Sequence, residues 1–405
     1  MVDFRAFSGW RPQTDKAAEV AAVPYDVVNT EEARALVSEA SDSLLRVTRP
    51  DVDLPDGTSL YGAEAYNGAQ AAFERLLSEN VIVQDSAPHY YAYAQQMGDH
   101  RQIGLVGLAS AADYWADRIK KHEFTRPTKE EDRMRHIEAV RAHLGPVFLA
   151  YRAQEEIDAL LGRVTDQSAE VDFVAPDGIR HQVWPISDVA TVSALTQAFS
   201  SVDALYIADG HHRAAAASRI GRDAEASDAK GHFLAVVFPD SALKILPYNR
   251  VVHDLQGRTP ESFREALQEN FSIEEIDVAE EPADRYHFTM YLDEQWYQLV
   301  LREHVLPDAN DPVARLDVSV LQDLVLAPLL GVADPRTAEH IDFVGGIRGL
   351  SELARRADAT QGVAFALCPT TLDDLMAIAD AGEVMPPKST WFEPKLRSGL
   401  VISRF

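Results

Sequence analysis

Apolar positions recur along the chain in short runs, and their spacing predicts strands and helices in mixed order. Alternating aromatic and small residues over 88–97 are typical of a strand, and the apolar run over 103–108 predicts a second strand. Residues 171–184 predict a β-hairpin, because Asp177-Gly178 supplies a tight turn between two alternating segments. Self-similarity at a period of about 20 to 50 residues is absent from the sequence, which excludes a solenoid or propeller.

Helical signals lie between these strands. Asn29 followed three positions later by Glu32 predicts a capping box at the start of a helix. The apolar pattern predicts further strands over 147–151, 204–208, 233–238, 286–292 and 296–301, and helices over 61–77, 129–144, 187–199, 214–220, 318–326 and 371–379. We therefore predict an α+β fold with a mixed sheet flanked by helices and at least one additional α/β module. A composition shift near 250–261 predicts two regions, an N-terminal α/β region over 1–250 and a C-terminal α+β region over 251–405.

Composition fits a globular protein of two or three modules. Hydrophobic residues make up 46% of the 405 residues and charged residues 25%. The net charge is −26, from 64 acidic and 38 basic side chains. Because such a field repels phosphates and anionic lipids, we expect no nucleic-acid partner and no membrane partner. An anionic small molecule would need a local concentration of basic side chains or backbone N–H groups.

The chain has one cysteine, Cys368, which excludes an intrachain disulfide. It follows an apolar run and precedes Pro369, so we expect a small core residue and not a nucleophile. We find neither an apolar signal segment at the N-terminus nor an apolar stretch of the roughly 20 residues that a membrane span needs. These observations predict a soluble, cytoplasmic protein.

The strongest chemical signal is the turn Asp209-Gly210-His211-His212-Arg213, where a predicted strand meets a predicted helix. Gly210 permits a positive φ, and the N–H groups at a helix N-terminus can hold a phosphate. Arg213 could place a bidentate fork on the same anion, and Asp209 could hold Mg²⁺ or take a proton from a hydroxyl. Alternatively, Asp209 caps the helix and the histidines are surface residues. Adjacent helical histidines point about 100° apart, which disfavours a zinc site.

Two further clusters are candidate binding elements. Residues 120–133 contain five basic side chains and a histidine, and could form an anion site at a helix start or a solvated, salt-bridged one. Residues 385–395 contain three prolines that preorganise a loop, which could bind a ligand or be a docked terminal strand.

The motifs together resemble, nearly end to end, the bacterial and archaeal domain-of-unknown-function family 1015. The residues that carry the resemblance are Val23-Pro24-Tyr25-Asp26-Val27 with Glu31-Glu32-Ala33, His122-Glu123-x-Thr125 with Lys129 and Asp132-Arg133, the turn Asp209 to Arg213, Pro328-Leu329-Leu330-Gly331, and Met385-Pro386-x-Lys388-Ser389-Thr390-x-Phe392-x-Pro394-Lys395. Five motifs in this order make the resemblance specific.

The turn is also similar to the phosphate-binding turn of the ParB/sulfiredoxin superfamily, which includes nucleotide-binding partition proteins, sulfiredoxins and kinases of free L-serine. This resemblance implies a ParB/sulfiredoxin-like core that binds ATP or ADP with Mg²⁺. In that case Arg213 and the histidines carry phosphate, Asp209 serves the metal or the hydroxyl, and Glu123 or Asp26 orients the nucleophile. Because His211 stands where sulfiredoxins have their cysteine, sulfinic-acid repair is not expected.

The leading hypothesis is therefore a nucleotide- and Mg²⁺-dependent phosphotransferase acting on a small hydroxylated metabolite, with free L-serine as one candidate. The alternatives are a nucleotide-binding regulator without turnover and a scaffold in which the turn is only structural. The residues expected in catalysis are Glu123, Asp209, His211, His212 and Arg213. Those expected to bind substrate or nucleotide are Pro24, Tyr25, Asp26, His122, Thr125, Arg126, Gly210, Lys388, Ser389, Thr390 and Lys395. We expect these motifs to line one cleft.

Overall fold

The computed structural model describes residues 1–222, 224 and 229–405. The chain forms two compact units: the first comprises Met1–Leu243 and Pro394–Phe405, and the second comprises Lys244–Glu393. The sequence placed the division near 250, inside the strand Tyr248–Val252, and assigned residues 394–405 to the C-terminal region. The return of these residues to the first unit has no local signal, because their partners lie far away along the chain.

A nine-stranded mixed sheet forms the centre of the first unit and confirms the predicted α+β fold. The strands follow the order Ile119–Lys120, Leu205–Asp209, Val147–Tyr151, His232–Pro239, His100–Ser110, Tyr90–Met97, Arg180–Ile186 and Val171–Val174, with Phe4–Arg5 also paired to His100–Ser110. Two neighbouring pairs are parallel, Leu205–Asp209 with Ile119–Lys120 and His232–Pro239 with Val147–Tyr151. The other pairs are antiparallel.

Local sequence signals explain several of these strands. The predicted hairpin pairs Val171–Val174 with Arg180–Ile186, and Gly178 in its turn has a φ of +80°. Every residue of His232–Pro239 is buried, and the apolar run that begins at Phe233 is typical of a strand in the middle of a covered sheet. Two small ribbons pair Trp10–Pro12 with Ile82–Gln84 and Ser403–Arg404 with Ala142–His143.

Helices of the first unit are Ala17–Val20, Thr30–Val37, Leu45–Thr48, Ala63–Ser78, Ala111–Trp115, Pro127–Val140, Glu155–Thr165, Val189–Phe199 and His211–Ile220. The predicted capping box is confirmed, because the Asn29 side chain accepts from the Glu32 N–H at 2.9 Å and the Glu32 carboxylate accepts from the Asn29 N–H at 2.9 Å. The helix predicted over 129–144 ends at Val140, because Arg141 adopts a left-handed conformation with a φ of +53°.

Two apolar clusters form the core of the first unit. One joins the sheet to the helix His211–Ile220, whose run of alanines from Ala214 to Ala217 lets the helix lie close to the strands. The other packs the N-terminal helices around Phe73 and Leu44 and includes Ile402, from the segment that follows the second unit.

The second unit has a six-stranded antiparallel sheet. Its strand order is Phe271–Ile276, Gln295–Leu301, His287–Leu292, Val363–Leu367, Tyr248–Val252 and Ile341–Gly345, and its helices are Pro260–Leu267, Asp317–Leu321, the π-helical turn Gln322–Leu326, Ala327–Leu330, Gly349–Thr360 and Leu372–Asp380. The ribbon of Lys244–Leu246 and Trp391–Glu393 pairs the two ends of this unit. Cys368 is half-buried after Val363–Leu367, and burial raises the pKa of its thiol to about 11, which makes it a weak nucleophile.

Within the ranges that the structure describes, no helix is both long enough and apolar enough to cross a membrane.

Candidate functional site

The turn after the strand Leu205–Asp209 has the predicted strand–glycine–helix form. Gly210 has a φ of +93° and a ψ of 32°, and the helix His211–Ile220 begins directly after it. A Cβ atom on Gly210 would lie 3.0 Å from Nε of Arg213, so the position also lacks room for a side chain. Glycine is therefore required here both for the backbone conformation and for the close approach of the guanidinium group.

Asp209 is half-buried and is held by two cations. Its Oδ2 accepts a hydrogen bond from Nη2 of Arg213 at 2.9 Å, and its Oδ1 accepts one from Nζ of Lys395 at 3.3 Å. Burial alone raises the pKa of the Asp209 carboxyl, but Lys395 and Arg213 outweigh that effect and lower the pKa to about 2. Asp209 is thus a carboxylate at neutral pH, and too weak a base to remove a proton efficiently.

The guanidinium of Arg213 is hydrogen-bonded to other groups of the protein. Nη1 donates to the carbonyl oxygen of Pro146 and Nη2 donates to Asp209, and the side chain is only 13% exposed. This arrangement differs from the fork on an anion that the sequence predicts. Arg213 instead orients the Asp209 carboxylate, which lies four residues before it on the same turn.

Three histidines surround the head of the helix His211–Ile220. The strand Ile119–Lys120 pairs with Leu205–Asp209 and brings His122 against His211, with perpendicular rings whose centroids are 4.5 Å apart. Nδ1 of His122, Nε2 of His211 and Nδ1 of His212 are buried and have no hydrogen-bond partner in the part of the chain that the structure describes.

Burial lowers the pKa of all three rings, that of His211 to about 4, so they are neutral imidazoles at neutral pH. The alternative in which the two histidines of the turn are surface residues is wrong for His211, which is 7% exposed.

The segment from Glu123 to Glu130 covers the same helix head. Glu123 is exposed, and its Oε2 lies 3.7 Å from Nδ1 of His211. The hydroxyl of Thr125 donates to Glu130, which also accepts from Arg219 at 3.2 Å. Thr125 is therefore committed to the local structure of this segment.

Two positive charges in this segment have no counter-ion among the residues that the structure describes. Among the residues with described positions, the side chains of Arg126 and Lys129 make no hydrogen bond and no ion pair. Burial lowers the pKa of His212. The positive charges of Lys129 and Arg126 lower this pKa further, whereas the carboxylates of Asp26 and Glu130 raise it. Asp26 and the two cations are therefore close enough to His212 to influence its charge.

The N-terminal motif contributes two adjoining clefts. The ring of Tyr25 stacks under the guanidinium of Arg133 at 4.0 Å, and burial raises the pKa of its hydroxyl to about 12. One cleft, of about 550 Å³, is lined among others by Pro24, Tyr25, Arg133, Gly145, Arg213 and Ser398. The other, of about 690 Å³, is lined among others by Tyr25, Asp26, Arg49, Tyr61, Lys129 and Arg133. Tyr25 and Arg133 form part of both walls, so the clefts adjoin.

The first unit therefore contains most of the predicted site residues close to the turn. They are Pro24, Tyr25, Asp26, His122, Glu123, Thr125, Arg126, Gly210 and Lys395. Lys388, Ser389 and Thr390 belong to the second unit, where the Lys388 carbonyl accepts from Arg250 at 3.0 Å and the Ser389 hydroxyl donates to the Pro386 carbonyl at 2.6 Å. That these three residues share a cleft with the turn stays a prediction.

Several lining residues are not among the site residues expected from the sequence, including Lys129, Arg133 and Ser398. Lys129 and Arg133 are four residues apart in the basic cluster, and this helical spacing was a usable signal. Ser398 carried no signal, because its place beside Arg213 depends on the return of the chain to the first unit.

A magnesium ion would fit this site only if a bound phosphate compound and water supplied most of its coordination shell. Within residues 1–222, 224 and 229–405, no group of three or more His, Cys, Asp or Glu side chains could hold a metal ion. Mg²⁺ commonly takes one or two carboxylates and completes its shell with waters and substrate phosphates. Asp209 could supply one such carboxylate.

These features define a mixed α+β protein in which a helix begins directly after a left-handed glycine, Gly210. The carboxylate of Asp209, which is paired with Arg213 and Lys395, precedes this glycine. The family model described as "Protein of unknown function (DUF1015)" matches residues 4–319, and the chain belongs to this family. This finding confirms the family resemblance drawn from the sequence motifs. The motifs at Pro328 and Lys388 lie beyond the matched residues. The search of curated proteins found no match.

Solved structures with a similar arrangement are distant. SbnI from Staphylococcus aureus with a C-terminal truncation is 15% identical with a TM-score of 0.39, covering 72% of this chain and 85% of that chain. Free serine kinase in complex with AMP is 18% identical with a TM-score of 0.34, covering 70% of this chain and 88% of that chain. A conserved hypothetical protein from Pyrococcus furiosus is 18% identical with a TM-score of 0.33, covering 70% of this chain and 90% of that chain.

Proposed function

We propose that this protein is a nucleotide- and Mg²⁺-dependent phosphotransferase that acts on a small hydroxylated metabolite in the cytoplasm, with free L-serine as the first acceptor to test. The observation that carries the proposal is the composition of the helix head. Buried ring nitrogens of His122 and His211 have no partner in the described part of the chain. The adjacent His212 is close enough to Arg126 and Lys129, which have no counter-ion among the described residues, for both cations to lower its pKa. Buried polar atoms of this kind are normally satisfied, so their presence points to a ligand.

A phosphate group matches the charges that surround the helix head. The first N–H groups of the helix His211–Ile220 follow the left-handed Gly210 and carry the positive end of the helix dipole. Lys129 and Arg126 add two charges that no carboxylate neutralises among the residues described. In a chain with a net charge of −26, such a local excess of positive charge favours a polyphosphate over a neutral ligand.

Asp209 would act through its charge. Its low pKa excludes it as an efficient proton acceptor, and favours a carboxylate that orients a cation beside the phosphates. Bound Mg²⁺ would supply neutralisation of the charge that develops on the transferred phosphoryl group.

Glu123 and Asp26 are the exposed carboxylates near the histidines, and either could orient the acceptor hydroxyl. The remaining contribution of the protein is positioning and charge stabilisation, as phosphoryl transfer requires. L-serine enters as the acceptor from the resemblance of the turn to that of kinases of free L-serine.

A pair of charge-removing variants on one helix tests nucleotide binding. Lys129→Met removes a cation near the helix head, whereas Arg135→Met removes one that is exposed and paired with Glu131 on the same helix at 3.0 Å. We expect Lys129→Met to weaken ATP and ADP binding about tenfold, the loss of one charge-assisted contact, and Arg135→Met to change it less than about twofold. Equal effects of the two variants would place the nucleotide elsewhere.

A measurement of turnover distinguishes the proposed phosphotransferase from a nucleotide-binding regulatory protein. Nucleotide consumption is measured with L-serine, related alcohols and no acceptor, at saturating Mg²⁺. Serine-dependent formation of a phosphorylated product supports the kinase. Nucleotide binding without acceptor-dependent turnover would reject the kinase and favour a nucleotide-binding regulatory protein.

A further inference from the structure

We propose that Gln95 is a positioning residue of this site, which fixes the backbone of Lys395 so that the lysine ammonium rests on Asp209. The geometry of the contact stands by itself, and only its kinetic consequence rests on the proposed function. Gln95 belongs to none of the motifs described above and lies on the strand Tyr90–Met97.

The amide of Gln95 is held on both sides. Its side chain is fully buried, and its Nε2 donates to the backbone carbonyl of Lys395 at 2.9 Å. Its Oε1 accepts from Nε2 of Gln102 at 3.0 Å, and these two residues face each other in the pairing of the strands. Because a carbonyl oxygen can only accept, the nitrogen of the Gln95 amide must point to Lys395, and the two contacts agree on this orientation.

A second anchor follows two residues later. Nε of Arg397 donates to Nε2 of His181 at 3.2 Å, and Nη2 of Arg397 donates to Asp177. The Arg397 N–H donates to the Tyr93 hydroxyl at 3.3 Å, and this hydroxyl lies 2.8 Å from Nδ1 of His181.

Arginine has no acceptor, so His181 must be neutral with its proton on Nδ1. Burial lowers the pKa of His181 to about 3, and the positive charge of Arg397 lowers it as well, in agreement with a neutral ring.

The two anchors leave the backbone of Lys395 little freedom. Leu396, which lies between Lys395 and Arg397, is buried. A lysine side chain loses rotamer freedom when its ammonium is fixed on one carboxylate, and a fixed backbone reduces the number of conformations that must be given up. Gln95 would therefore act on the charge of Asp209 through Lys395, without touching a ligand.

The test measures the accessibility of the Lys395 amine directly. The full-length protein is trace-labelled with an acetylating reagent under native conditions, and Lys395 is compared by mass spectrometry with the exposed Lys388 of the same chain. Gln95→Met keeps the length of the side chain and removes the donor. The matched control is Gln96→Met on the same strand, where the amide bonds only to the carbonyl of Gly98 at 3.2 Å in the described structure.

We expect Gln95→Met to raise the labelling of Lys395 relative to Lys388 about fivefold, the loss of roughly one net hydrogen bond, and Gln96→Met to leave the ratio unchanged. Gln102→Met, which frees the Gln95 amide but keeps its donor, should raise the ratio less. If Gln95→Met lowers the thermal midpoint, Gln102→Met provides the measurement in its place. An unchanged ratio in both variants overturns the proposal.

Kinetics give the second readout. With serine-dependent turnover, Gln95→Met should lower kcat about tenfold while the KM for nucleotide stays within about twofold, because the positioned charge acts in the transition state. A rise in labelling with unchanged kcat would overturn the role in the site. If the wild type shows no turnover but the labelling ratio rises as expected, the kinase fails and the positioning of Lys395 stands.

Discussion

At the scale of single residues, the site depends on pairs that the protein forms with itself. Arg213 and Lys395 both serve Asp209, so the charge available to a ligand comes from Lys129, Arg126 and the helix head. One set of cations therefore keeps Asp209 ionised, and a different set remains available to bind an anionic ligand.

Gly210→Ala should destabilise the protein more than Gly178→Ala. Both glycines have positive φ, +93° and +80°, which costs alanine about 1–2 kcal/mol. At Gly178 no described atom lies within 4 Å of the added Cβ, whereas at Gly210 the Cβ also displaces Arg213. We expect about 1 kcal/mol of additional loss at Gly210, measured by urea unfolding. Equal losses would mean that the guanidinium moves aside freely.

Asp209→Asn should separate binding from turnover. Removal of the carboxylate takes away a negative charge that repels phosphates, so nucleotide affinity in the presence of a chelator should rise. With Mg²⁺ the gain should disappear, and turnover should fall about a hundredfold or more. The measurements are nucleotide affinity with and without Mg²⁺ and the initial rate, at matched thermal stability. A variant that keeps the wild-type rate would remove Asp209 from the mechanism.

At the scale of elements, the helix Pro127–Val140 contributes most to the clefts. Lys129, Arg133 and His136 lie on one face at spacings of four and three residues, and line the two clefts beside Tyr25. The sequence offered a solvated, salt-bridged helix as the alternative for this cluster. That alternative applies to Lys120 and Lys121, which pair with Asp117 at 3.6 and 3.5 Å. Arg133 is salt-bridged to Asp132 at 2.6 Å but is not solvated, because its side chain is only 12% exposed and stacks on Tyr25.

The buried His136 of this helix should make stability depend on pH. Its Nε2 donates to the carbonyl of Val47 at 2.8 Å, and burial lowers its pKa to about 4. Between an unfolded pKa near 6.5 and about 4, the unfolded state binds the additional proton, so stability falls as pH falls. We expect His136→Gln to reduce this slope by up to about 1.4 kcal/mol per pH unit.

The measurement for His136 is the free energy of unfolding of the first unit at pH 7 and pH 5. His304→Gln, which removes an exposed imidazole from the second unit, is the control. An unchanged slope in His136→Gln would show that another group carries the acid sensitivity.

Local elements could be predicted from the sequence, and long-range partners could not. The capping box at Asn29, the turn at Gly178 and the left-handed Gly210 depend on residues within a few positions of one another. The partners of Arg213 include Pro146 and, through Asp209, Lys395. These contacts join distant segments, and no periodicity in the sequence reports on them.

At the scale of the whole molecule, the first unit is built from two separate stretches of chain. Residues before Leu243 form most of it, and Pro394–Phe405 completes it. This segment bridges to Ala22 through Ser398 and to Trp10 through Ile402, and pairs with Ala142–His143. It supplies core side chains together with the cation that pairs with Asp209.

A chain that ends at Glu393 should lose the first unit. Leu396, Leu400, Val401 and Ile402 are all buried, and removing each costs about 1.5–3 kcal/mol. The sum is comparable to the whole stability of a typical domain. Hydrogen exchange should show loss of protection in residues 1–243, whereas a chain that ends at Ser403 keeps the four apolar residues and should stay protected. Full protection in the shorter chain would contradict this account.

The same arrangement orders events during synthesis. Protein domains tend to fold as their residues emerge, beginning from the N-terminal side. Here the first 243 residues must wait while the whole of Lys244–Glu393 is made, because Lys395 and Ile402 are translated after it. A nascent chain that stops within the second unit therefore carries Asp209 without the lysine that neutralises it, and the site becomes competent only when translation has passed the last residues of the second unit.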